Sequence, residues 1–212
     1  MNKKIILVVF SIFLALSLIS MASAQLAVGV KAGDWIQYQV SFTGTPPDPS
    51  HAIVAANMTV LSVQGTAINV NIASTMSNGT VLSTNSTLNL QTGQLIDNFI
   101  IPANLTKGDQ FLDSNVGNIT IANVGQGTYV GATRTVVNAT SGSNTYVWDQ
   151  ATGIDVEGFS TGASYTMHTL ANATNMWPTQ VPEFSTTAIG SIIVIGAVAI
   201  VTAAVAITRK RK

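Results

Sequence analysis

The chain has 212 residues, no cysteine, and nine acidic against nine basic side chains. Without cysteine, disulfides, thiolate metal sites and cysteine nucleophiles are excluded. The zero net charge hides a segregation. Residues 25–187 hold all nine acids but only Lys31, Lys107 and Arg134 among the bases, so this middle is six units negative. That balance argues against nucleic acid as a partner, and the split of sign between middle and ends points to membrane topology.

Residues 1–24 read as a signal peptide. Lys3 and Lys4 form a basic start, Ile5–Ile19 an apolar stretch, and Ala22-Ser23-Ala24 a small-x-small site for signal peptidase. Cleavage after Ala24 would leave Gln25 as the first mature residue.

Residues 25–176 read as an extracellular β domain. In "DWIQYQVSF" the apolar residues Ile36, Tyr38, Val40 and Phe42 alternate with Gln37, Gln39 and Ser41. In "AINVNIASTM", Ile68, Val70, Ile72 and Met76 alternate with polar residues. This period of two predicts half-buried antiparallel strands. Strands are expected near 34–42, 53–63, 66–76, 80–90, 95–101, 118–124, 128–140, 144–149, 154–160 and 163–171. The fold class expected is an all-β antiparallel meander of about ten strands, a sandwich or half-barrel. "SNGT" at 77–80 predicts a type I′ hairpin turn through Asn78-Gly79, and a turn is expected at Thr152-Gly153.

Three segment pairs suggest a duplication, with copies at 33–99 and 108–159. "KAGDWIQY" resembles "LTKGDQFL", "NMTVLSVQGT" from Asn57 resembles "NITIANVGQGT" from Asn118, and "QTGQLIDNF" resembles "QATGIDVEGF".

The N-x-S/T pattern occurs at Asn57, Asn78, Asn85, Asn104, Asn118, Asn138 and Asn172. All seven fall between the signal peptide and the later apolar run, where an oligosaccharyltransferase partner could modify them.

Residues suited to chemistry are few. His51 and His168 stand 117 positions apart, in no metal-ligand or triad pattern, and read as solvent-facing. Asp155 and Glu157, two apart on one strand, would share a face and read as a solvated pair. "DSNVGN" at 113–118 opens like a calcium loop, but its twelfth position is Val124. Arg134, in mid-strand, is expected in a structural ion pair. Trp35, Tyr38, Tyr129, Tyr146, Trp148, Phe159 and Tyr165 could line a carbohydrate or lipid groove, or fill the core. No catalytic residue, cofactor or metal site is expected.

Residues 177–187 form a linker with the motif Pro182, Glu183, Phe184. Residues 188–208 read as a transmembrane helix. Ala188–Ile207 carries no charge and at 1.5 Å per residue reaches about 30 Å. The tail 209–212, "RKRK", is expected to stay cytoplasmic. "VPEFSTTAIGSIIVIGAVAIVTAAVAITRKRK" resembles the archaeal PEF-type C-terminal sorting signal. The resemblance implies an archaeal surface protein whose motif is read by an archaeosortase, with cleavage near Phe184 exchanging the span for a lipid. The ectodomain is similar to uncharacterised archaeal secreted β proteins. The expected role is that of a membrane-anchored, N-glycosylated surface protein, structural, adhesive or binding. An extracellular lipid or glycan carrier is the alternative, and a carboxylate-dependent hydrolase of surface polymers is least favoured.

Overall fold

The computed structural model describes residues 26–45, 48 and 52–178. The signal segment with Ala22, Ala24 and Gln25, the loop residue His51, the motif Pro182-Glu183-Phe184, the apolar run and the tail lie outside the described residues. The chain divides into a unit ending at Met176 and a second from Trp177 onward; only Trp177 and Pro178 of the second are described.

The described residues contain eleven strands and no helix: β1 Trp35–Gly44, β2 Ile53–Gln64, β3 Ala67–Met76, β4 Val81–Asn89, β5 Gln110–Asp113, β6 Gly117–Thr120, β7 Asn123–Tyr129, β8 Ala132–Ser141, β9 Asn144–Asp149, β10 Asp155–Thr161 and β11 Tyr165–Thr174. Nine of them form one antiparallel sheet in the order β4-β3-β2-β1-β11-β10-β9-β8-β7, and β5 pairs with β6 separately. Two meanders, β1–β4 and β7–β11, are thus joined through the β1–β11 ladder.

The alternation in sequence decides which face is buried. Along β1, Ile36, Tyr38 and Val40 are buried while Gln37, Gln39 and Ser41 are exposed. The same face carries Met58 and Val60 from β2, Ile68 and Val70 from β3, Leu88 from β4, and Tyr146 and Trp148 from β9. Against it pack Leu90, Leu95, Ile100 and Ile101 from the connection after β4, with Phe111 and Ile119 from the β5–β6 hairpin. Phe111 meets Trp148 edge-on, ring centroids 5.5 Å apart. One sheet and the segment it wraps therefore share a single core.

Several expected elements differ. Residues 95–101 are not a strand. Ile96, Asp97 and Asn98 take φ of 44°, 58° and 59°, a left-handed turn that Asp and Asn tolerate and an isoleucine rarely does. Trp148 Nε1 donates to Asn98 O at 2.7 Å, and Asp155 N donates to Phe99 O at 2.9 Å, which fix the turn from both sides. The "DSNVGN" stretch is the turn of the β5–β6 hairpin, where Asp113 Oδ1 accepts from Asn115 N at 2.7 Å. The expected strands at 118–124 and 128–140 become β6, β7 and β8, because the hairpin turn falls at Val130-Gly131, φ 50° and 73°. At 77–80 only Gly79 has positive φ, 86°. Its N–H donates to Met76 O at 2.9 Å, and Met76 N donates to Thr80 O at 2.8 Å. This is a turn closed by a left-handed glycine rather than type I′.

The paired segments occupy related positions. Asp34 N donates to Lys31 O and Lys31 N to Asp34 Oδ2; Asp109 N donates to Thr106 O and Thr106 N to Asp109 Oδ2. Gly33 N and Asp34 O then bond Val60, as Gly108 N and Asp109 O bond Ile121. Trp35↔Thr59 and Ile36↔Met58 have the register of Gln110↔Thr120 and Phe111↔Ile119. Past Val60 and Ile121 the likeness lapses: Gln64–Thr66 form a hairpin turn, whereas Gln126–Thr128 lie inside β7. It returns at the turns 89–94 and 149–154. Asn89 N donates to Gln94 O and Asp149 N to Ile154 O, each around a glycine of positive φ, Gly93 at 74° and Gly153 at 71°.

Candidate functional site

Ile72 and Ser74 of β3 and Asn144 and Tyr146 of β9 line one cavity. In a flat sheet those strands, five spacings apart, would stand about 24 Å from each other. The sheet is therefore strongly coiled, and the cavity lies on its concave side. Bulges in β2, at the β1–β11 ladder and at the start of β10 supply sites of bending.

The cavity has a volume of about 200 Å³. Its walls are Val40, Ile53, Ala56, Ile72 and Met167, with Tyr38, Phe99 and Tyr146 as aromatic surface. Asn144 and Ser160 are among the polar residues at its border, and Gly158 leaves room where any side chain would intrude.

Two carboxyls border this space, Asp97 and Asp155. The turn at 96–98 brings Asp97 there, and the pairing of Phe99 O with Asp155 N sets it beside β10. Asp155 is buried, and its Oδ1 is enclosed with no hydrogen-bond partner among the described residues. Tyr38 Oη donates to the Asp155 carbonyl at 2.9 Å, tying β1 to β10. Burial pushes the Asp155 carboxyl well above the usual carboxylate range, and Asp97 pushes the same way. The Val147 and Glu157 backbone N–H groups pull against them. Asp97, whose side chain still reaches solvent, is also raised, by partial desolvation first and then by Asp113. Burial raises Tyr146 as well, opposed by the Asn98 and Asn144 side chains. Among the described residues no basic side chain lines the cavity.

Asp155 and Glu157 do not form the shared-face pair that their spacing suggests. The register shifts between them, so the alternation breaks at Val156. Asp155 turns to the cavity, whereas Glu157 accepts from Tyr129 Oη at 2.9 Å and lies 2.9 Å from His168 Nε2. His168 is not a plain solvent-facing residue either: it is half-buried and stacks on Phe159, centroids 4.3 Å apart. Arg134 makes a two-pronged ion pair with buried Asp149, Nε to Oδ2 at 2.7 Å and Nη2 to Oδ1 at 3.1 Å.

Of the aromatic residues considered for a groove, Tyr38, Tyr146 and Phe159 border the cavity, while Trp148 fills the core. Phe99 and Asp97 escaped the sequence reading because 95–101 read as a strand. The Asp97-Asn98 pair, poor in strands and tolerant of left-handed backbone, was the available signal. Among the sequons, Asn78, Asn85, Asn104, Asn118 and Asn172 are exposed, and Asn57 and Asn138 are half-buried. No three His, Asp or Glu side chains among the described residues are placed to hold a metal ion. No helix among them is long and apolar enough to cross a membrane.

No known protein family matches the chain, and no curated protein does. A solved structure described as "The Siderocalin Ex-FABP functions through dual ligand specificities" is similar over 75% of this chain and 79% of that one. It is 11% identical, with a TM-score of 0.25, a likeness too slight to bear on function.

Proposed function

We propose that this chain is a ligand-binding module displayed outside a membrane, its coiled sheet a half-barrel that holds a small ligand rather than transforming it. The observation that carries the binding reading is the cavity of about 200 Å³ on the concave face, walled by apolar and aromatic side chains with a few polar groups among them. Binding sites have this composition. The volume lies below the roughly 300–1,000 Å³ of drug-sized pockets, so the ligand, or the part of it held here, is compact. This favours the carrier over a purely structural or adhesive role. The display reading rests on the order of signal-like segment, acidic sequon-rich middle, apolar run and "RKRK".

A hydrolase is the weaker reading. It would find two acids bordering one cleft, Asp97 and Asp155. Yet acid–base pairs work when their environments push the two groups apart. Here burial moves both in one direction, toward the neutral acid, and no base among the described residues lines the cavity to hold either ionised.

Cyclohexanol tests the cavity. Its seven non-hydrogen atoms at about 0.6 kcal/mol each imply about 4 kcal/mol and a millimolar Kd. The expected outcome is a rise in the unfolding temperature of the full chain with ligand concentration, abolished by Gly158→Leu. A Cβ at Gly158 would meet nothing nearer than Asp155 Oδ2 at 3.5 Å, so the variant should fold with its side chain in the space. No stabilisation, or equal stabilisation of the variant, would overturn the reading.

A further inference from the structure

We infer that the cavity takes the apolar end of a linear hydrocarbon chain, and that the rest of the chain runs out along the concave face to the ends of the strands, its polar head outside. The inference rests on the binding reading above and adds the ligand's chemical class.

Burial along the concave face carries it. Residues that pair directly across neighbouring strands point to the same side of a sheet, so the ladders identify the inward side chains. Toward one end of the sheet these lose their cover. In β1, Ile36 and Tyr38 are 0% and 1% exposed, Val40 is 8% exposed, and Phe42 is only half-buried. In β9, Trp148 is fully buried, Tyr146 is 8% exposed, and Asn144 is half-buried. In β11, Ala171 is buried, whereas Met167 and Tyr165 are half-buried. In β4, Leu88 is fully buried and Leu82 is 52% exposed. Leu82 pairs with Ser74, and Phe42 with Met167, and both partners line the cavity. The C-terminal end of β1 and the N-terminal ends of β4, β9 and β11 lie together in these antiparallel ladders, so the exposed residues share one end of the sheet.

Inward apolar side chains of a filled sheet are out of water. Here Phe42, Tyr165 and Leu82 keep contact with it, at a cost that an apolar ligand would remove. Phe42 and Tyr165 stand edge-on, ring centroids 5.6 Å apart, at the strand ends. At the opposite end Ile101 and Phe111 are buried against the sheet, so the apolar surface continues out of the cavity one way. A compact ligand would fill the cavity and leave that surface wet. A linear chain covers both.

Charge and polarity set the chain's direction. No basic side chain among the described lining residues would meet a carboxylate or phosphate, so the end that enters is the apolar one. Phe42, Met167, Ser160 and Asn144 pair in succession across β1, β11, β10 and β9. This rung offers apolar contact at one side and neutral hydrogen-bonding groups at the other, where the chain leaves.

The test is a length series of straight alcohols, hexan-1-ol to decan-1-ol, beside cyclohexanol. Binding is measured by calorimetry on the full chain in lipid nanodiscs, with empty discs to fix the free concentration. Affinity is expected to rise by about two- to fourfold per methylene, at least about tenfold over the series, and Gly158→Leu should abolish binding of every member. Leu82→Ser, at an exposed position, should cut the decanol-to-hexanol ratio by at least about twofold and leave cyclohexanol unchanged. Discs holding a phospholipid with a diazirine at its tail end test the source. Labelling of the peptides carrying Phe42 or Met167, suppressed by decan-1-ol, assigns the chain to a membrane lipid. Decanol binding without such labelling assigns it to a free amphiphile, and either result keeps the inference. Equal affinity for hexanol and decanol, or a ratio undiminished in Leu82→Ser, would overturn it. If cyclohexanol still binds, the cavity reading stands and the exposed strip belongs to another occupant, such as a further segment of protein. Binding of no alcohol would remove both.

Discussion

Asp155 holds an unusual position for an acid: buried, against Asp97, with one oxygen idle. Its folded-state pKa is raised, so between the unfolded value near 3.8 and the raised one the native state binds more protons than the unfolded. Stability contributed by the neutral acid is therefore complete below about pH 4 and lost as pH rises through the folded pKa. A tenfold change in proton affinity corresponds to about 1.4 kcal/mol. Asp155→Asn should remove this loss. In urea unfolding the variant is expected to match the parent near pH 4 and to exceed it in stability as pH rises toward 7. A parallel pH dependence in the two proteins would contradict the burial of this carboxyl. The sequence shows Asp155 as one of a strand pair with Glu157 but hides the bulge at Val156, which depends on how β10 lies against β9. Burial of an acid is a property of the surroundings, and no pattern local to "GIDVEGF" announces it.

At the scale of elements, the alternating strands β1 and β3 are legible because each buries a face of period two, while the connection between β4 and β5 is not. Its backbone is ordered by partners distant in sequence. Ile101 N donates to Gly153 O at 2.9 Å, Ile100 pairs with Ile154, and Ala103 N donates to Ala27 O at 2.8 Å. The four residues of β5 are too few to display an alternation. Yet the Gly-Asp turns at 33–34 and 108–109, their shared bonds to Val60 and Ile121, and the matched turns at 89–94 and 149–154 were visible as sequence likeness. On these we propose that the domain arose by duplication, the first copy departing where 95–101 leaves the sheet and 155–161 stays in it. That departure builds the cavity, since it brings Asp97 and Phe99 against β10. The join depends on Gly153. Its φ is 71°, and a Cβ there would stand 2.1 Å from Ile101 O. Gly153→Ala is expected to destabilise by about 2–4 kcal/mol, lowering Tm by roughly 5–15 °C for a domain of this size. Because 99–101 would shift, it should weaken cyclohexanol binding as well. An unchanged Tm would show that the turn is not clamped.

At the scale of the whole molecule, the same residues set what the cell could add and remove. Among the described residues β4 and β7 end the nine-stranded sheet, and on a domain displayed outside the cell, as proposed, each would be a template for pairing with another chain. Glycans at Asn85 on β4 and at other exposed sequons would obstruct such contact. Attachment needs the side-chain amide in solvent. Exposed Asn78, Asn85, Asn104, Asn118 and Asn172 satisfy this, whereas Asn57 is half-buried with its Oδ1 enclosed, and Asn138 is half-buried too. The linker motif Pro182-Glu183-Phe184 has two readings with different masses. As a stiff stalk before a permanent span it leaves the chain whole to Lys212. As the sorting signal it resembles, it would be cut and the span exchanged for a lipid. We propose exchange. Intact mass of the protein from its native membranes, followed by peptide mapping, distinguishes the two. The expected mature chain begins at Gln25, lacks residues 185–212, and carries a lipid-sized addition and hexose-scale increments on exposed sequons, with Asn57 and Asn138 bare. A mature chain that retains 185–212 would refute exchange and keep the motif as stalk. A mass free of hexose increments would refute glycosylation, leaving the edges β4 and β7 to be protected by their polar side chains alone.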